Sequence, residues 1–285
     1  MKITFIGLGI MGKGMVSHLH HADWQVTIYN RTRTKAEGLG FAVADSLAEA
    51  VQEADIVISM LTTPEVVGET ALGENGFVRH MAKGALWADC STVHPAFSRQ
   101  CGAAATAAGI RFIDSPVAGS KNQAAGAELV FLVGGEQADV DQFRPLMEVM
   151  GKAVVHAGKL GQGSSLKLLV NAMLGQSMAM FAEIMSIGQA MDLDRDFLLN
   201  FLPKLPVVPA YMQFKTDNMK AGSYPAEFPL ELMHKDLHLL NLAAFDANIA
   251  VPLTAASAQR FAEANAAGMG REDFSAIFER FNPAP

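Results

Sequence analysis

The sequence predicts an α/β domain with a doubly wound, mainly parallel sheet, followed by an all-α domain built on one long helix. Three observations carry this. Up to about residue 160, short apolar runs alternate with amphipathic or alanine-rich stretches. After Gly161 the strand signals stop, and residues 163–191 contain two charges, Lys167 and Glu183, and no proline. The chain has 285 residues, enough for one large or two ordinary domains. The expected division is 1–160 and 161–285.

The strand-like runs are 3–7, 25–30, 54–61, 85–91, 111–116 and 127–135. Each is apolar and short, and several are bounded by glycine. Between them, 46–53, 64–72, 95–108 and 137–150 read as helices. Strands separated by helices pair in parallel and are covered on both faces. In the second half, 163–191 predicts one helix of about 25–29 residues, roughly 40 Å long. Few polar positions on any face imply burial nearly all round. Helices follow at 195–203, 210–220, 230–246, 253–267 and 273–280, punctuated by prolines at 203, 206, 209, 225, 229 and 252.

Composition narrows the function classes. Half of the residues are hydrophobic and the formal net charge is −7, which argues against nucleic acid as a partner. Two cysteines, Cys90 and Cys101, make no disulfide framework and suit a cytoplasmic protein. The opening "MKITFIGLGIMGKGM" imitates a signal peptide, but its glycine spacing and lack of a small-residue cleavage site argue against one. Residues 168–180 are apolar enough to raise the question of a membrane span. Asn171, Gln176 and Ser177 interrupt them and Glu183 follows, so a buried helix and no membrane are expected.

"IGLGIMG" places Gly7, Gly9 and Gly12 in a Gly-x-Gly-x-x-Gly pattern, with Leu8, Ile10 and Met11 between. It follows the first strand and opens a helix. The first glycine permits a tight turn, the second lets backbone approach a pyrophosphate, and the third lets helix pack on strand. The helix start offers unpaired N–H groups to the phosphates. This is the nucleotide turn of a Rossmann-type sheet. The second strand ends at Asn30, followed by Arg31, Thr32, Arg33 and Lys35. An NAD site usually has an acidic residue there; a neutral residue beside cations suits a 2′-phosphate. NADP(H) is therefore preferred, with NAD(H) as the alternative. The other reading of this stretch is a solvated turn.

In "SSLKLLVNAML" (164–174), Ser164, Lys167, Asn171 and Gly175 share one helix face at a helix start. Leu168, Leu169, Ala172 and Met173 are expected to face the core. Burial and the positive end of the helix dipole both disfavour a charged lysine, pushing it toward proton transfer near neutrality. A lysine that snorkels to solvent fits the spacing equally well. "HLHH" (18–21) lacks the partners of a metal site, so no metal is expected.

Five segments carry a wider likeness: "FIGLGIMGKGM" (5–15), "ADCSTVHP" (88–95), "DSPVAGSKNQAAGAELVFLVGG" (114–135), "GQGSSLKLLVN" (161–171) and "FPLELMHKDLHLL" (228–240). Together they resemble the β-hydroxyacid dehydrogenase family over nearly the whole chain, and the G-S-K triplet at 119–121 is most like its glyoxylate/succinic semialdehyde reductase branch. The resemblance implies Lys167 as catalytic lysine with Asn171 beside it. It implies Met60, Leu61, Thr92 and Lys235 at the cofactor. It also implies Ser91, Phe228 and Asp236 at a small anionic aldehyde or hydroxy acid substrate. The backbone of Ala118, Gly119 and Ser120 would bind the substrate carboxylate. Ala118 stands where many members have serine, which removes one hydroxyl from that loop. A homodimer or homotetramer is implied as well.

Overall fold

The structure, a computed structural model, describes residues 1–281. Nine strands form one mixed sheet: β1 (Lys2–Ile6), β2 (Gln25–Tyr29), β3 (Ala42–Val43), β4 (Ile56–Ser59), β5 (Leu86–Asp89), β6 (Arg111–Asp114), β7 (Val117–Ala118), β8 (Leu129–Gly134) and β9 (Gly151–Gly158). The order is β3-β2-β1-β4-β5-β6-β8-β7, with β9 on β8. The pairs from β3 through β6 are all parallel; β8 runs antiparallel to β6 and β7 and parallel to β9. That is the doubly wound arrangement, with its reversal of strand order at β1 and β4.

Why the central strands read as unbroken apolar runs is plain from their two faces. Ile56 and Ile58 of β4, with Leu86 and Ala88 of β5, join one core. Val57 and Trp87, the residues between, join the core on the other side. A strand buried on both faces has no polar alternation to show. The helices of this half are α1 (Ile10–Val16), α2 (Leu47–Val51), α3 (Pro64–Leu72), α4 (Pro95–Ala107), α5 (Lys121–Ala125) and α6 (Gln137–Met150). Their starts are chemically marked. Ser46 and Thr63 cap α2 and α3 by accepting backbone N–H bonds, and α3 and α4 begin on prolines, whose missing N–H costs nothing at that position.

Three strands lack a sequence signal. β3 and β7 have two residues each, and β9, "GKAVVHAG", is partly exposed, with glycines and alanines around its valine pair. The five-residue α5 was also not expected. Its sequence looks like a loop, but Ser120 and Gln123 form a capping box that fixes it.

The long helix α7 spans Gln162–Ala190. The chain divides into two compact units, Met1–Leu168 and a second beginning at Leu169, so the first two turns of α7 pack with the sheet-bearing unit. The reason is local. A Cβ on Gly163 would overlap the Leu132 carbonyl oxygen, so the first turn of α7 lies against the backbone of β8. The second unit adds α8 (Arg195–Phe201), α9 (Thr216–Ala221), α10 (Leu230–Asp246), α11 (Pro252–Ala264) and α12 (Phe278–Phe281). Its core joins Phe181, Met185, Met212, Met233, Leu237 and Phe261.

One expectation for α7 fails. It is not buried nearly all round: Leu169, Met173, Met180, Ile184 and Ile187 are exposed, Met173 by 76%. Leu169 and Met173 thus leave the core that Leu168 and Ala172 enter. By length and composition α7 could cross a membrane, yet half of its most apolar stretch is packed inside the protein.

Candidate active site

The turn after β1 has the shape a dinucleotide requires. Gly7 has φ +101, a conformation that glycine adopts without strain, and a Cβ there would overlap the Met60 carbonyl oxygen at the end of β4. A Cβ on Gly12 would overlap the Gly7 carbonyl. Gly9 differs: nothing lies within 4 Å of a Cβ built on it. The protein itself therefore does not need glycine at position 9, and the space kept open there fits a ligand's close approach. Gly9 and Ile10 are exposed, Met11 is half-buried, and Leu8 is buried. The Leu8 N–H donates to Asn30 Oδ1 at 2.9 Å, so neither it nor the side chain faces a ligand.

Asn30 consequently braces the turn. Its Nδ2 donates to the Thr32 carbonyl at 2.9 Å. Of the nearby cations, Arg33 is ion-paired with Asp45, while Arg31 is exposed and has no ion-pair partner among the described residues. Thr32 is exposed beside it. Of the cations read from sequence, Arg33 is engaged by Asp45, while Arg31 and Lys35 are exposed.

Met60 and Leu61 leave β4 half-buried. The Leu61 N–H donates to Ser91 Oγ at 2.9 Å, and Ser91 Oγ donates to Asp89 Oδ1 at 2.6 Å. Ser91 was expected at the substrate. Fully buried, with its one hydroxyl hydrogen engaged by Asp89, it has none to offer a carboxylate. Its role is internal. Thr92, next along, is half-buried. Asp89 Oδ1 also accepts the Ser59 hydroxyl at 2.8 Å and the Ser91 N–H at 3.2 Å, while Trp87 Nε1 donates to Ser59 Oγ at 2.8 Å. Burial pushes the Asp89 carboxyl up to about 6 against the pull of these donors, and the charge of Asp114 adds to the rise.

Asp114 lies directly across the β5–β6 pairing from Asp89. Its Oδ1 accepts the Gly161 N–H at 2.7 Å and its Oδ2 the Ser164 N–H at 2.6 Å. A side chain from β6 thus caps α7 from fifty residues away. Burial raises this carboxyl too, opposed by those backbone donors. Lys167 follows one turn on and is 7% exposed; it does not snorkel. Asn171 comes one further turn along the same helix and is also buried.

In the carboxylate loop, Gly119 takes φ +129. The Ser120 N–H and hydroxyl both donate to Gln123 Oε1, at 2.9 and 2.7 Å. The expected three backbone donors therefore shrink: that of Ser120 is engaged in capping α5, leaving the backbone at Ala118 and Gly119. Within the second unit, Asn171 Nδ2 donates to Asp236 Oδ2 at 2.5 Å, and Lys235 Nζ is ion-paired with Asp236 Oδ1 at 2.9 Å. Phe228 is half-buried at the start of α10, where the Phe228 N–H donates to Asp273 Oδ2 at 3.1 Å.

The discounted features have structural explanations. His18 binds the Ala124 and Ala125 carbonyls, and His20 stacks on Phe41. Among the described residues no group of three or more His, Cys, Asp or Glu side chains could hold a metal ion. Both cysteines are buried and free; burial pushes the Cys101 thiol up to about 12 and the Cys90 thiol well above its usual value. Sequence reasoning missed Asp89, Asp114, Ser59 and Gln123. The signal was present, since an aspartate closing an apolar strand, with a serine one or two residues on, occurs in both "ADCS" and "IDSP".

Comparison with known proteins extends these observations to the whole chain. Residues 2–158 match the NAD binding domain of 6-phosphogluconate dehydrogenase, and residues 161–281 match the NAD-binding family of NADP-dependent 3-hydroxyisobutyrate dehydrogenase. Glyoxylate/succinic semialdehyde reductase 1 of Arabidopsis thaliana is 34% identical over 283 residues, 98% of either chain. The NAD-dependent L-serine dehydrogenase of Pseudomonas aeruginosa is 32% identical over 292 residues, covering 99% of this chain and 98% of that one. The structure of Mycobacterium tuberculosis 3-hydroxyisobutyrate dehydrogenase with L-serine superimposes with a TM-score of 0.87 at 29% identity, covering 99% of each chain. Likeness that runs through the nucleotide turn and α7 alike, over nearly every residue, makes this chain a pyridine-nucleotide-binding oxidoreductase that belongs to the β-hydroxyacid dehydrogenase family, in its glyoxylate/succinic semialdehyde reductase branch.

Proposed function

We propose that the protein reduces a small aldehyde acid, of the glyoxylate or succinic semialdehyde type, to the hydroxy acid at the expense of NADPH, with Lys167 as general acid. The observation that carries this reading is the buried Lys167, set one turn before Asn171 on α7. A buried ammonium needs a reason, and a developing alkoxide is one. The A. thaliana relatives named glyoxylate/succinic semialdehyde reductases support the substrate class.

The bound nucleotide supplies the hydride. The chain supplies the rest. Gly9 leaves room for the pyrophosphate on a turn that Gly7 and Gly12 allow to close, with Met11 beside it. Arg31 and Thr32 meet the 2′-phosphate. Met60, Leu61, Thr92 and Lys235 orient the nucleotide, and the backbone at Ala118 and Gly119 holds the substrate carboxylate. Lys167 gives its proton to the carbonyl oxygen as charge develops there. Asn171, held by Asp236, orients the ammonium and the substrate oxygen; Phe228 shapes the substrate's apolar side. Positioned donors of this kind act by being in place before the charge appears.

A second reading keeps the chemistry and reverses the direction: NAD-dependent oxidation of a hydroxy acid, favoured by the L-serine dehydrogenase relative. The deciding experiment follows nucleotide absorbance with glyoxylate, succinic semialdehyde, tartronate semialdehyde and methylmalonate semialdehyde, using NADPH and NADH in parallel. The proposal expects turnover with NADPH and at least one of the first two aldehydes. Activity confined to NAD and hydroxy acids would replace it with the second reading.

A further inference from the structure

We propose that the two buried carboxylates closing β5 and β6 are positioning residues with separate outputs: Asp89 fixes the nucleotide-side loops, and Asp114 fixes the start of α7 and so the place of Lys167. The inference rests on the functional reading above and deepens it.

The geometry separates the two although they face each other across one strand pair. Asp89 gathers all three of its donors on Oδ1, two of them from Ser91. Ser91 then holds the Leu61 N–H. One carboxylate oxygen therefore sets two loops, 60–61 after β4 and 91–92 after β5. Asp114 uses both oxygens, and both accept backbone N–H groups at the start of α7. That start has no slack, because a Cβ on Gly134 would press on Asp114 Oδ1 and on the Gly163 N–H. Neither aspartate touches the glycine turn of residues 7–12. Burial raises both carboxyls despite their donors, so neither is there because it stabilises the fold well; an ion held at such cost fits a role in alignment.

The use of one oxygen against two gives an atom-level test. Asn at position 89 keeps an acceptor at Oδ1, whereas Asn at 114 must turn an N–H₂ toward a backbone N–H. Direct NADPH binding by fluorescence titration and turnover at saturating nucleotide are measured for Asp89→Ala, Asp89→Asn, Ser91→Ala, Asp114→Asn and Lys167→Ala, with the aldehyde acid that the substrate screen identifies. The expected pattern has four parts. Asp89→Ala and Ser91→Ala weaken NADPH at least tenfold; Asp89→Asn stays within threefold of wild type. Asp114→Asn binds NADPH within threefold but loses at least thirtyfold in turnover per bound nucleotide, a ratio that counts only folded sites. Three results overturn the proposal: Asp89→Asn as impaired as Asp89→Ala, Asp114→Asn unable to bind NADPH, or Asp114→Asn with near-normal turnover. Lys167→Ala reports on the underlying reading alone. Normal turnover in that variant would remove the catalytic role while leaving the Asp89 arm to stand or fall on nucleotide affinity.

Discussion

Lys167 is nearly inaccessible, yet it stands at the start of α7, where the helix dipole opposes a cation. Asp114 changes that balance, since its carboxylate sits on the same helix start and offsets the dipole. Lys167→Ala is expected to lower turnover by about three orders of magnitude, the scale of a lost general acid, while NADPH titration stays normal. At the other end of the nucleotide, Arg31→Ala should weaken NADPH about ten- to a hundredfold, as loss of a charge-assisted pair does, and leave NADH nearly unchanged. Equal losses for both nucleotides refute a 2′-phosphate contact. Asp89 makes a stability prediction. Its folded pKa, about 6, lies above that of an unfolded aspartate, so the folded chain takes up the proton first as pH falls. Its contribution to stability is therefore greatest at low pH and is lost as pH rises through about 6, a swing of up to about 3 kcal/mol. The titratable groups whose fields it shares are Asp114, Cys90 and Cys101. Urea melts of Asp89→Asn and wild type at pH 4.5 and 7.5 check the sign: the wild type should gain relative to the variant at the lower pH.

At the scale of elements, α7 is fastened where it begins. Gly161, Gly163 and Ser164 lie against β6 and β8 through hydrogen bonds and backbone contact, not through side-chain packing. Gly163→Ala should therefore destabilise the fold by about 1–3 kcal/mol, the usual cost of forcing a methyl into a filled space, visible as a lower urea midpoint. An alanine in an ordinary helix interior would do the reverse. The elements legible in sequence are those with a strong period. Pro64–Leu72, Gln137–Met150 and Leu230–Asp246 coincide with their predicted spans. Those that were not legible, β3, β7, β9 and α5, are held by neighbours: β9 by the ladder to β8 and α5 by the Ser120–Gln123 box and by His18. A two-residue strand has no period to detect.

Across the whole molecule, the exposed face of α7 is the feature that the single chain leaves unexplained. Leu169, Met173, Met180, Ile184 and Ile187 recur at helical spacing along one stripe, with Glu183 at its edge. A second copy presenting the same stripe would be a matching occupant, because isologous pairing buries like against like. Ile184→Glu is accordingly expected to lower the mass measured by light scattering, with unchanged helical content by circular dichroism. A mass equal to one chain in the wild type would refute it.

The sequence by itself determined the fold class, the nucleotide turn and the helix that bears Lys167 and Asn171, because each rests on a local pattern: apolar period, glycine spacing, or two side chains one turn apart. Tertiary structure decided what those side chains are committed to. Only the folded chain shows that Ser91 and Ser120 have donated their hydrogens elsewhere and that Arg33 is taken by Asp45. It alone brings Asp114 onto a helix start fifty residues away. Hydrogen bonds between residues distant in sequence leave no periodic trace, so they are the part of a site that a sequence states least.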